Sequence, residues 1–237
     1  MKRLFISLAI LAGISLSSCN DSFLEKTPVT DLTENNAFNS YDNFKAFMWP
    51  CYEMFTNNTI RTSLQGFGQD GQYKGDMAAG YFQQKYESGY NEFAYQTVAS
   101  VASGNGWDFK SFIRRVNIML SHIDNSSMTE AQKDHWRAVG YFFHSFWYME
   151  LIDRFGDVPW VDQVLQEDSP EAYGPRVDRK TVADKVLERL QWAEQNIGNF
   201  TSQDGDNTIN QDCVRAVISR FGLREGTWRK YHELGDA

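Results

Sequence analysis

Residues Arg137–Trp160 have the sequence RAVGYFFHSFWYMELIDRFGDVPW and contain the most apolar helical pattern of the mature chain. Its apolar residues cover most of the circumference of a helix rather than one stripe, which predicts a helix that is buried on nearly every side. Charged residues interrupt the run, so it does not read as a membrane span, which needs about 18 or more apolar residues. Gly156 and Pro159 predict the end of the helix. The chain is therefore predicted to be organised around one central helix that other helices cover.

Apolar residues spaced by three and four predict four more helices around this one. These span about Ser40–Thr56, Trp107–Ile123, Thr181–Ile197 and Gln211–Arg224. Ser40 is a candidate cap of the first helix, and Pro50 is expected to kink that helix or end its first half. Thr129 and Gln132 match a capping box before the central helix. No stretch predicts a strand, and the two successive helix pairs predict an all-α fold of tetratricopeptide-like hairpins with long irregular loops.

Residues 57–106 are rich in glycine and in aromatic residues without helical spacing. We predict a long irregular excursion here, with one short helix near residues 90–100. Long ordered loops in compact domains are more often functional than accidental. Tyrosine rings in such a loop offer flat amphipathic faces that suit sugars, although for any single tyrosine packing onto the helices is the more common role.

The amino terminus carries an export address. Lys2 and Arg3 precede the apolar run Leu4–Leu16, which predicts a secretory signal over residues 1–18. The following Leu-Ser-Ser-Cys ends at Cys19 and is similar to a bacterial lipobox, which implies cleavage before Cys19 and lipid attached to it. The alternative is an ordinary signal with Cys19 incidental. Residues 19–35 are polar and predict a tether, leaving residues 36–237 as the helical domain.

Charge and cysteine usage narrow the function classes. The net charge of −8 disfavours a broad nucleic-acid footprint, which needs clustered positive charge. Cys51 and Cys213 could pair in an oxidising compartment, but Cys51 lies on an apolar helix face and reads better as a small core residue.

No metal-ligand spacing and no signature of a hydrolase, phosphate-binding loop or dinucleotide site occurs in the chain. His144 in the central helix reads as a satisfied core histidine, with a role as ligand or base as the alternative. A secreted glycosidase would need two carboxylates across a cleft, and no pair here carries such a signature. We therefore expect a protein that is not an enzyme and has no cofactor.

Four segments together resemble the SusD/RagB family of outer-membrane glycan-binding lipoproteins. They are Phe23–Pro28, Arg115–Leu120, Phe155–Trp160 and Glu225–His232. The segment Val139–Ser145 departs from the Glu-Ala-x-Phe-Leu-Arg-Ala pattern that is frequent in the family, which leaves the subfamily and the ligand open. Family members are longer, so the chain looks like an amino-terminal part of the family's length and an incomplete SusD-like fold.

The resemblance implies binding of oligosaccharide at the outer surface, with lipid on Cys19 as the membrane anchor. It also implies delivery of the sugar to a SusC-like TonB-dependent transporter. No glycan-contacting residue carries over from the family. The candidate ligand residues in the excursion are Tyr73, Asp76, Tyr81, Tyr86, Tyr90 and Asn91. A helical-repeat adaptor that binds only protein stays open as the alternative.

Overall fold

The computed structural model describes residues 38–55 and 111–232, in which every regular element is a helix. The helices are α1 Tyr41–Met48, α2 Phe112–His122, α3 Glu130–Phe155, α4 Arg179–Asn196, α5 Thr201–Asp204 and α6 Gln211–Tyr231. A 3-10 helix, Trp49–Phe55, follows α1, and another, Pro170–Tyr173, lies before α4. Within these residues, β pairing is limited to one bridge between Val158 and Val177. The all-α prediction is confirmed.

The central helix α3 is buried as its sequence predicts. From residue 138 to residue 152, every residue except Tyr141 is buried. α3 packs against both α2 and α4, and α6 packs on α4, so two successive helix pairs surround one core. Burial of an entire helix circumference requires neighbours on several sides, and these two pairs supply them.

Both ends of α3 form where the sequence places them. Gln132 N donates to Thr129 Oγ1 at 3.4 Å and Thr129 N donates to Gln132 Oε1 at 3.0 Å, which completes the capping box. Gly156 ends the helix with φ 67° and donates its N–H to Ile152 O. A positive φ costs little in glycine because no Cβ meets the neighbouring carbonyl.

We expect Gly156→Ala to lower the free energy of unfolding by about 1–3 kcal/mol, because alanine is strained at positive φ. Nothing lies within 4 Å of the Cβ that would be added, so any loss reflects backbone strain and not a clash. Gly174→Ala is the matched control, because Gly174 has φ −70° and its added Cβ would be 3.6 Å from the nearest atom. Urea unfolding of both variants measures the difference, and equal losses would contradict the strain argument.

The first helix begins at its predicted cap and breaks at its proline. Ser40 Oγ accepts from Asn43 N at 3.4 Å. The α-helical geometry ends at Met48, and Pro50 lies in the 3-10 helix that follows. Proline lacks an N–H and its ring collides with the preceding helical turn, which explains the change. α2 begins at Phe112 rather than Trp107, and residues 107–110 lie outside the described residues.

The last helix is longer than predicted. α6 continues to Tyr231, seven residues beyond the predicted end at Arg224, so the segment Glu225–His232 lies almost wholly inside the helix rather than after it. Gly222 and Gly226 lowered the helical signal, but buried ion pairs of Glu225 and Arg229 hold this part helical. The predicted loop before α6 also contains the short helix α5, which was missed.

Cys51 is fully buried and free, and Cys213 is also free, so the core reading of Cys51 is confirmed and a disulfide between the two is absent. Burial raises the pKa of the Cys51 thiol to about 12. Among the described helices, none combines the length and apolarity needed to cross a bilayer.

Candidate functional site

The six candidate ligand residues lie outside the described residues. These are Tyr73, Asp76, Tyr81, Tyr86, Tyr90 and Asn91, and their role stays a prediction. The same holds for Cys19. Three other features noted in the sequence lie within the described residues. They are the turn after α3, the buried histidine of α3, and the loop between α4 and α6.

The turn Phe155–Trp160 and the residues that follow it are held against α2 and α3 by hydrogen bonds. Tyr148 Oη donates to Pro159 O at 2.9 Å and accepts from Val161 N at 2.7 Å. Asn117 of α2 donates through Nδ2 to Val161 O at 3.1 Å and to Gln163 O at 3.0 Å. Buried polar side chains that satisfy backbone groups in this way specify one path for a connection. Asn117 in its hydrophobic run therefore has a structural role.

The same turn also positions the next helix. Asp157 Oδ1 accepts from Arg179 N at 2.9 Å, so a residue of the turn caps the first residue of α4. Val158 and Val177 exchange two backbone hydrogen bonds, at 3.1 and 2.9 Å. The turn is thus a clamp between the end of α3 and the start of α4.

The ring of Trp160 lies under two cations of α4. The Arg189 guanidinium is 4.9 Å from the Trp160 ring and 4.8 Å from the ring of Tyr141, and Lys185 Nζ is 5.3 Å from Trp160. Trp160 Nε1 donates to Asp162 at 2.9 Å. These cation–π contacts occupy the ring, which favours a packing role for Trp160.

His144 is fully buried in α3 and its Nε2 lies 2.9 Å from Val161 O. A carbonyl only accepts, so Nε2 carries the hydrogen and Nδ1 is bare; Nδ1 finds no hydrogen-bond partner among residues 38–55 and 111–232. Burial, with help from the nearby Arg189 charge, lowers the pKa of His144 well below 6.5, although the Val161 hydrogen bond opposes the shift. The prediction of a core histidine is confirmed, but among these described residues the histidine is satisfied at Nε2 only.

This burial makes stability depend on pH. Between pH 6.5 and the lower folded-state pKa, the unfolded chain binds a proton at His144 and the folded chain does not. The free energy of unfolding is therefore expected to fall as the pH drops below 6.5, at a rate that approaches about 1.4 kcal/mol per pH unit until the folded-state pKa is reached. His135 acts in the same direction, because burial lowers its pKa despite the opposing charge of Asp204.

Urea unfolding of His144→Gln at several pH values tests this prediction. The glutamine amide can still donate to Val161 O but does not titrate. The slope of the unfolding free energy against pH is therefore expected to decrease by the contribution of about one proton. An unchanged slope in the variant would show that His144 does not carry the effect.

A second group of polar side chains converges on Asp204, the last residue of α5, whose side chain is 5% exposed. Tyr41 Oη donates a short hydrogen bond to Asp204 Oδ2. Lys45 Nζ lies 3.4 Å from its Oδ1, and His135 Nε2 lies 3.5 Å from its Oδ2. Burial raises the pKa of Tyr41, and the hydrogen bond to the Asp204 carboxylate raises it further. The phenol therefore stays protonated and acts as the donor. Asp204 thus fastens α5 to α1 and α3.

Beside this group lies a cleft of about 320 Å³, which we call the loop cleft. It is bounded by His135 of α3 and by the chain from the end of α4 to the first turn of α6. Its lining combines neutral polar side chains with two isoleucines, two carboxylates and the rings of a histidine and a phenylalanine. It consists of His135, Ile197, Gly198, Asn199, Phe200, Thr201, Asp204, Thr208, Ile209, Asn210, Gln211 and Asp212.

Sequence reasoning missed the loop cleft. Phe200 was not singled out, although an aromatic ring between Asn199 and Thr201 in a polar loop is a usable signal. Asp204 carries no local signal, because its partners come from α1 and α3, far away in sequence. Across the described ranges, no group of three or more His, Cys, Asp and Glu residues could hold a metal ion.

Stacked helical hairpins with a small polar cleft define a tetratricopeptide-like helical protein. A family model described as SusD-like, starch-binding associating with outer membrane, matches residues 22–223. The chain therefore belongs to the SusD-like family. A search of curated proteins finds no match.

Three solved structures share the fold. A SusD-like protein from Bacteroides fragilis has TM-score 0.61 and 18% identity, over 86% of this chain and 39% of that one. A SusD-like carbohydrate binding protein from Bacteroides vulgatus has TM-score 0.58 and 17% identity, over 81% and 43%. Another from Bacteroides fragilis has TM-score 0.56 and 16% identity, over 84% and 41%. The chain thus spans about two fifths of the length of these structures.

Proposed function

We propose that this chain is a cell-surface lipoprotein that binds oligosaccharide without chemical conversion and delivers it to a SusC-like TonB-dependent transporter. The observation that carries the proposal is the family match over residues 22–223, whose description joins starch binding to the outer membrane. The amino-terminal pattern supports it: a signal over residues 1–18, lipid on Cys19, a tether over residues 19–35 and a helical domain over residues 36–237.

Binding is tested by calorimetric titration of the purified chain with neutral oligosaccharides. Maltoheptaose comes first because the family description names starch, and cellohexaose tests a different linkage. Saturable binding of either, without release of shorter sugars on long incubation, supports capture without hydrolysis. Hydrolysis products would support a glycosidase. Binding to a purified SusC-like transporter with no sugar binding would support the adaptor alternative.

Anchoring is tested by the change Cys19→Ser in a bacterial host that processes lipoproteins. The variant should move from the membrane fraction to the soluble fraction, because it loses the acyl chains. Cys213→Ser is the matched control, since Cys213 is a free thiol within the helical domain and its loss should leave the membrane fraction unchanged. Equal fractionation of both variants would contradict lipid attachment at Cys19.

A further inference from the structure

We propose that the loop cleft is a binding site for one or two rings of a neutral sugar. This inference rests on the proposed function and adds to it a place, a size and a ligand charge. The volume of about 320 Å³ lies at the lower end of the range for small-molecule pockets, roughly 300–1,000 Å³. The cleft therefore suits a short terminal or branch unit rather than a long glycan chain.

The residues of the cleft offer both hydrogen-bond donors and acceptors to a ligand. Asn199 Oδ1 accepts from Thr201 N at 3.2 Å, and Asn210 Oδ1 accepts from Cys213 N at 3.0 Å. Because a backbone N–H needs an acceptor, these bonds fix the amide orientation, and each Nδ2 is left as a donor. Neither Nδ2 has a hydrogen-bond partner in the described part of the chain.

Gln211 supplies the opposite polarity. Its Nε2 donates to Glu194 O at 2.9 Å, which leaves Oε1 as an acceptor. The residues that carry these two amide donors and this amide acceptor line the same cavity as Thr208, whose hydroxyl donates to Gly205 O at 3.0 Å and can still accept. A sugar hydroxyl donates and accepts at once, so a ring with several hydroxyls can satisfy all of these groups.

Phe200 provides the apolar surface of the cleft. Its ring lies 4.6 Å from the His135 ring and 5.2 Å from the Tyr41 ring, so aromatic neighbours hold it in place. A Cβ added at Gly198 would lie 2.5 Å from the Phe200 ring, so glycine lets the ring lie close against the loop backbone. An ordered ring loses little freedom on binding, and a sugar's C–H face can pack on it.

The charges in the cleft favour a neutral ligand. Asp204 is already bound by Tyr41 and lies near Lys45, while Asp212 is 92% exposed and lies 3.7 Å from Arg215. No lysine or arginine is among the lining residues. An anionic sugar would therefore meet two carboxylates without a cation in the cleft, which disfavours it.

The test is a comparison of Thr201→Trp with Ser202→Trp, followed by amide NMR during titration with maltose, cellobiose and glucuronate. Thr201 is exposed and lines the cleft, whereas Ser202 is exposed and is not among the lining residues. A tryptophan at residue 201 fills the cleft and should weaken disaccharide binding at least tenfold; one at residue 202 should change it less than twofold. In the unchanged chain, maltose or cellobiose should shift the Asn199 and Asn210 side-chain amides, and glucuronate should not.

Thermal unfolding of both variants controls for folding, and the unbound spectra must match outside residues 197–212. Sugar-induced shifts elsewhere, with equal binding by both variants, would overturn the loop cleft as the site and leave the proposed function standing. Glucuronate binding as tightly as maltose would overturn the charge argument. If neither disaccharide shifts the amide signals, the loop-cleft inference is wrong. If maltoheptaose and cellohexaose also fail to bind in calorimetry, the proposed function is wrong too.

Discussion

Replacing Phe143 with alanine is expected to lower the free energy of unfolding by about 3–5 kcal/mol, the usual loss for a buried phenylalanine. Phe143 is 0% exposed at the middle of α3. Its ring lies 5.2 Å from the ring of Tyr52, 5.6 Å from that of Phe142 and 6.1 Å from that of Phe55. Alanine leaves a cavity at the place where the 3-10 helix after α1 meets α3, and close-packed interiors collapse only partly into such cavities.

Typical domains are stable by about 5–15 kcal/mol, so this loss would remove a large share of the folding free energy. Urea unfolding, followed by tryptophan fluorescence, measures it. Leu223→Ala is the matched control, because Leu223 is 76% exposed and its truncation should change stability by about 0.5 kcal/mol or less. Similar losses in the two variants would show that Phe143 is not a central packing residue.

Replacing Glu225 with alanine is expected to cost about 3–5 kcal/mol, because it leaves the buried Arg179 without its counter-charge and removes one of the two carboxylates that bind Arg229. Arg179 Nη1 lies 2.9 and 2.7 Å from the two Glu225 oxygens, and Arg229 Nε lies 2.9 Å from Oε1. All three side chains are 9–11% exposed. This cluster joins the start of α4 to the last two turns of α6.

The expected result depends on which partners are removed. Replacing Arg179 and Glu225 together with methionine and leucine should recover part of the loss, since Arg229 keeps Asp184 at 2.6 Å and no buried cation of the cluster is left unpaired. Arg215→Ala is the control, because Arg215 is 55% exposed, its partners Glu194 and Asp212 lie outside the cluster, and its loss should cost less than about 1 kcal/mol. A double variant as unstable as Glu225→Ala would show that the charges are not the cause. Circular dichroism would also show whether α6 shortens.

The cluster explains why sequence reasoning ended α6 too early. Gly222 and Gly226 weaken the local helical signal, and charged residues ordinarily face solvent. The partners of Glu225 and Arg229, which are Arg179 and Asp184, lie on α4, more than 40 residues away. Such a distant pairing leaves no periodic apolar pattern in α6, so the local sequence could not show it.

The candidate site, too, could be predicted from the sequence only in part. The loop between α4 and α6 was predicted as a connection, and that was correct apart from α5. Its cleft forms because Asp204 binds Tyr41 and lies near His135, which come from two other helices. The tyrosines proposed from sequence as sugar platforms lie outside the described residues and stay predictions.

Several features depend only on neighbours along the chain and follow from the local sequence. These are the all-round apolar pattern of α3, its capping box at Thr129, its end at Gly156, and the break at Pro50, because each follows from local backbone geometry and side-chain period. Three other features depend on how the helices pack in space and do not follow from the local sequence: the length of α6, the role of Asn117 and the loop cleft. Those depend on polar and charged groups that meet across helices, and a buried polar group is stable only where a distant part of the chain supplies its partner.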